Sequence, residues 1–205
     1  MHPAASVALT FLVSSSSLNA GVKNPSHNVQ PTAAFAVCYG QAAPTAACNK
    51  QAILNINRAR KQEGVKPIKL PGNYSSLSVD AQIVAVSNAE RTARKLSAVK
   101  ETTAWDQLAQ QGANTDSDPN GDSTGQDWGA IWAGNVSDPL AADFLWMYDD
   151  GWAGKNTING DCTSPTAPGC WGHRDVILGP SWKTTGAGFD AQTPDGPSLA
   201  ELFVG

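Results

Sequence analysis

No apolar run in this chain is long enough to cross a membrane. A span needs about 20 residues, and the longest candidate, Ala4–Val13, is half of that. No Cys-x-x-Cys occurs, which excludes a zinc ribbon and a thioredoxin-type pair. Histidine is scarce, with three in 205 residues, and His173 is the only one outside the N-terminal tail. Any imidazole chemistry therefore falls to His173. Charge of one sign is also scarce in each half. Residues 1–100 hold only 3 acidic side chains against 11 basic ones, and residues 101–205 hold 3 basic against 15 acidic. The acidic half repels phosphate backbones, so no nucleic-acid partner is expected. That half also carries all seven tryptophans, from Trp105 to Trp182.

The N-terminus has the outline of a secretory signal. Residues 1–20 run from an apolar stretch through four serines to Leu18-Asn19-Ala20, a small-residue cleavage site. The protein is therefore expected to be secreted, without a membrane span, and its oligomeric state is left open. Four cysteines fit export. They allow three pairings, of which the local one, Cys38 with Cys48 and Cys162 with Cys170, closes two short loops. Each such loop would stabilise the fold by about 2–3 kcal/mol.

Residues 21–47 lack periodicity and read as a disordered linker. Residues 48–77 read as a helical extension, with Asn49 capping a helix through Glu63 that Gly64 and Pro67 stop. Ser78 opens a second helix with Val79, Ile83, Val86, Ala89, Ala93 and Leu96 on one face. A third covers about residues 104–112, and Asp138-Pro139 opens a fourth through Tyr148. Asp127–Ala133 reads as a strand, and two more flank the turn sequence Thr193-Pro194-Asp195-Gly196. Helices before strands predict an α+β domain.

Three motifs in this order carry a family resemblance. Asn88-Ala89-Glu90-Arg91 lies on the second helix, and Trp146-Met147-Tyr148-Asp149 ends the fourth. Gly172-His173-Arg174 follows, with Gly186-Ala187-Gly188 downstream. Residues 78–205 thereby resemble the CAP superfamily, the SCP or PR-1-like cysteine-rich secretory proteins, in a bacterial-type secreted form. The resemblance implies a three-layer α-β-α sandwich with a central antiparallel sheet. It also implies a surface cleft of two His and two acidic residues, which in some members binds a divalent metal. Carried over by position, His173 keeps its chemistry and Asp149 replaces a Glu. Asp116 stands where His is expected, and Ala130 where a Glu is expected.

Two functions follow from this. The first is binding of an extracellular small molecule or cell-envelope ligand, a glycan or lipid, in an acidic cleft. Trp132, Trp152, Trp171 and Arg174 would contact it, because indole faces stack on sugar rings and carboxylates take hydroxyls. No cofactor is required for that. The second is a metal-dependent hydrolase in which His173, Asp149 and Asp116 hold Zn, Mg or Ca and the metal activates water. Loss of the Glu at Ala130 weighs against the hydrolase. Asn73-Tyr74-Ser75 and Asn135-Val136-Ser137 are glycosylation sequons, relevant only in a eukaryotic secretory pathway.

Overall fold

The computed structural model describes residues 22–205. The signal-like segment 1–20 lies outside the described residues. The elements run α1 (Ala46–Gln62), α2 (Val79–Ala93), β1 (Lys100–Glu101), α3 (Thr103–Asn114), β2 (Trp128–Gly134), α4 (Pro139–Tyr148), α5 (Gly172–Ile177), β3 (Thr184–Thr193) and β4 (Gly196–Val204).

Local chemistry sets the ends of these elements. Ser78 accepts from the Ala81 amide to start α2, and Asp138 accepts from the Leu140 and Ala141 amides to start α4. At α1 the cap is Thr45, whose hydroxyl takes the Cys48 amide. Asn49, expected there, lies one turn inside and donates instead to the Asp138 carboxylate. The short β1 and the six-residue α5 have no sequence period, and only the fold reveals them.

The sheet order is β1-β3-β4-β2, antiparallel except where β1 runs parallel to β3. The β3–β4 hairpin pairs Thr184 with Val204 and turns at Gly196, whose φ is 108°. Side chains alternate across it. Gly186 and Gly188 face α3, which lies so close that a Cβ at Gly186 would come within 2.0 Å of the Trp105 carbonyl carbon. Ala187, Leu199 and Phe203 point the other way, into the main core with Ile56, Ile83, Ile131, Phe144 and Met147. Helices α2, α4 and α5 cover that face, and α1 packs on α4. This is the expected α+β three-layer sandwich. Among the described residues no helix is long and apolar enough to cross a membrane.

The boundaries expected at the N-terminal side need correction. The supposed linker is packed. Val29, Phe35 and Cys38 are buried, the Phe35 ring lies 5.1 Å from Phe144, and Cys38 is bridged to Cys48. Its apolar residues bury one at a time rather than as a periodic face, so no pattern showed in the sequence. Nor is α1 an appendage. Ala52, Ile56 and Ala59 belong to the same core as α4.

Candidate functional site

The site forms where α4 ends and α5 begins. Asp150, fully buried, gathers four donors: the His173 and Arg174 amides on Oδ2 (3.0 and 3.3 Å), and His173 Nδ1 and Asn159 Nδ2 on Oδ1 (2.6 and 2.7 Å). One carboxylate thereby fixes both the first turn of α5 and the orientation of the imidazole. Nδ1 is occupied, so Nε2 is the nitrogen left for a ligand. The His173 side chain is 24% exposed.

The long loop between the helices is held from inside. Asn159 also donates to the Asp150 and Gly169 carbonyls, and the Cys162–Cys170 disulfide closes its far half. Trp171, at φ 66°, caps α5 with its ring over Gly151, where a Cβ would clash at 2.4 Å. Trp152 and Ile158 remain 38% and 50% exposed on the same loop.

The electrostatics follow from this packing. Burial by itself would lower the His173 pKa. The hydrogen bond to Asp150 and its charge outweigh that, Asp118 and Asp161 add to it, and the net shift is upward. Desolvation raises the Asp118 carboxyl pKa, the His173 charge opposes that, and Asp161 adds to it. One imidazole thus stands among three carboxyl groups, Asp118, Asp150 and Asp161. Such a surface can offer acceptors to hydroxyl groups.

Several expected residues stand elsewhere. Asp149 turns from His173 toward the N-terminal segment, where its Oδ1 accepts from Asn28 (2.8 Å) and Gln30 (2.6 Å). Burial, then the neighbouring Asp150 charge, push its pKa up to about 7. Asp116 sits at φ 49° with Oδ1 buried and unpartnered, and it is Asp118, two residues on, whose charge reaches His173. Among the described residues no three His, Cys, Asp or Glu side chains converge as a metal-holding group. The expected set His173–Asp149–Asp116 is therefore not assembled.

Arg174 is fully buried and unreachable by a ligand. It clamps Glu63 through both terminal nitrogens (3.0 and 2.8 Å) and donates to the Met147 carbonyl at 2.6 Å. Trp132 lies on the α3 side of the sheet, its indole N–H donating to Ser198 Oγ at 2.8 Å. The opposite face of β2, at Gly129, meets Val176 of α5. Strand alternation thus separates Trp132 from His173. Trp152 and Trp171 stay in the site loop. Both local disulfides form, Cys38–Cys48 and Cys162–Cys170.

Sequence reasoning missed Asp150, Asn159, Asp118 and Asp161 as neighbours of His173. It also missed the ion network beneath them. Glu63 receives Arg174 and Arg94, Arg94 and Arg60 meet on Glu90, and the Tyr148 hydroxyl donates to Glu90 at 2.9 Å. Gly121-Asp122-Ser123-Thr124-Gly125 fits the Gly-x-Ser-x-Gly nucleophile pattern by letters alone. It forms a 3-10 turn before β2, not the strand-to-helix elbow that exposes a nucleophile. Two surface hollows lie away from His173, one of about 460 Å³ beside Asp80 and Asp106 and one of about 740 Å³ at the end of α1.

No protein-family model and no curated protein matches the chain. Two solved bacterial structures are similar to it. One is an extracellular protein containing a SCP domain from Bacillus anthracis str. Ames, at 17% identity and TM-score 0.40, with 62% of this chain and 40% of that one covered. The other is a cysteine-rich secretory protein from Staphylococcus aureus subsp. aureus Mu50, at 14% identity and TM-score 0.40, with 62% and 38% covered. The chain thus spans about two fifths of the length of each.

Proposed function

We propose that this is an SCP-type extracellular binding domain that takes a cell-envelope glycan at the acidic surface around His173. The observation that carries the reading is the His173–Asp150 pair. Its carboxylate is buried and saturated with donors, its imidazole is fixed yet open to solvent, and Trp152 stands exposed two residues after Asp150. A ring so held presents Nε2 to a ligand hydroxyl, Asp118 and Asp161 supply acceptors, and Trp152 offers a face for a sugar ring. The two disulfides support an oxidising compartment.

The test is a titration with soluble cell-wall oligosaccharides followed by tryptophan fluorescence and by the His173 ring signals in NMR. Trp152→Ala and His173→Ala are each expected to weaken binding about tenfold, about 1.4 kcal/mol. Trp132→Ala, on the far side of the sheet, should bind as wild type does. Undiminished binding by both Trp152→Ala and His173→Ala would sink the assignment.

A further inference from the structure

Helix α1 carries a second surface that the glycan reading does not use. Lys50, Leu54, Arg58 and Lys61 recur at helical spacing along its outer side and are all exposed, Leu54 by 54%. Lys66 and Lys69 extend the row past the helix end. The segment that follows is fixed against α1. The Ile68 amide donates to Asn57 Oδ1 at 2.7 Å, and Arg60 Nε donates to the Lys66 carbonyl at 2.8 Å. Between helix and segment lies the hollow of about 740 Å³, walled by Leu54, Val65 and Pro67 and rimmed by Arg58, Lys61 and Lys66.

The charge on this face is of one sign. Lys50, Arg58, Lys61, Lys66 and Lys69 are exposed on it, while Arg60, the remaining cation of α1, is buried against Glu90. Glu63 is turned inward onto Arg94 and Arg174. Among the described residues no ion pair involves Lys50, Arg58, Lys61, Lys66 or Lys69. Arg58 reaches inward to the Gln30 carbonyl and the Asn55 side chain and still remains exposed.

From this arrangement we propose that the outer face of α1 docks on an anionic lipid surface. The cations sit against the headgroup charges, and Leu54 enters the interface. A soluble polyanion would be served by the cations alone. An apolar side chain centred among them, with Val65 and Pro67 beside it, is what an interfacial face requires. The acidic remainder of the molecule is repelled from the same surface. Docking would therefore orient the protein.

The experiment is co-sedimentation of the full chain with vesicles of phosphatidylcholine alone and of phosphatidylcholine mixed with phosphatidylglycerol. The mixed vesicles are expected to retain at least about tenfold more protein at low salt, and high salt should abolish the difference. Lys50→Glu/Lys61→Glu/Lys66→Glu should remove binding, by about fivefold or more per cation, while far-UV circular dichroism stays native. Leu54→Gln should weaken it severalfold with every charge kept. Equal retention on both vesicle types overturns the proposal, as does a triple variant that still binds. So does capture by polyphosphate, unaffected by Leu54→Gln, without capture by vesicles. So does a dimer in sedimentation velocity that the triple variant dissolves, since a second copy would then be the occupant. Glycan titration of the same triple variant reads the His173 site separately, so the two readings fail independently.

Discussion

Glu63→Gln tests the buried ion network most directly. The Glu63 side chain is 17% exposed and accepts one hydrogen bond from Arg94 and two from Arg174, whose own side chains are 4% and 0% exposed. The neutral amide keeps the shape, but it removes the countercharge and presents N–H groups to guanidinium donors. Removing one partner of a buried pair costs about 3–5 kcal/mol, because the other charge is left in a medium that cannot solvate it. Arg94 retains Glu90, so the lower end, about 3 kcal/mol, is expected. For a chain of this length that lowers Tm by about 6–12 °C. Urea unfolding followed by tryptophan fluorescence would read it. Burial by itself would raise the Glu63 pKa, but the hydrogen bonds and charge of Arg174, then Arg94, outweigh that and lower it. Its stabilisation is thus complete above the unfolded value near 4.5 and is lost as pH falls through the folded one. The gap between wild type and variant should close on acidification. Arg174→Met added to Glu63→Gln should recover part of the loss, since the orphaned cation goes too. A single variant within about 1 kcal/mol of wild type at neutral pH would refute the network as a source of stability.

Three further outcomes can be measured. Burial raises Glu201 to about 7, against the opposing pull of hydrogen bonds from Ser87 and Thr185 and the Arg91 charge. Its contribution is therefore full below the unfolded value of 4.5 and fades as pH rises through about 7. Wild type should lose up to about 3 kcal/mol between mildly acidic and alkaline pH, and Glu201→Gln should lose less. Asp150→Asn should lower the His173 pKa in an NMR titration, and an unmoved titration would mean that Asp150 does not set it. Gly186→Ala should destabilise by about 3 kcal/mol or fail to fold, because α3 leaves no room for a Cβ, and thermal unfolding by circular dichroism would show it.

What the sequence made legible was local. Ser78 and Asp138-Pro139 start helices because their oxygens answer free amides a few residues on, a chemistry confined to one turn. The β3–β4 strands could be read because Pro194-Asp195-Gly196 marks their turn and Gly196 takes the positive φ it needs. The site was half legible. His173 followed from scarcity and from the motif around it, but its partner Asp150 lies 23 positions away across a loop with no periodic signal. Asp116 and Asp118 share one polar loop, and only the fold shows which of them faces the imidazole. Arg174 read as a ligand contact because charged residues are mostly exposed. Glu63, which makes it internal, sits 111 residues earlier on a helix assigned to an extension.

The N-terminal segment has a consequence for the order in which the molecule is assembled. Cys38 and Cys48 are 10 positions apart and can find each other as soon as both exist. Asn28 and Gln30 reach across 121 and 119 positions to Asp149, and the Val29 amide closes on the Tyr148 carbonyl. Contacts of such separation form late, after the loop entropy between them has been overcome by other pairings. The stretch synthesised early is thus secured only once the C-terminal half has folded beneath it. Until that moment Asp149 and the Gly151 amide lie open to water. Seating of residues 28–30 would then be the closing event of folding, and a probe placed there would report completion of the fold rather than its beginning.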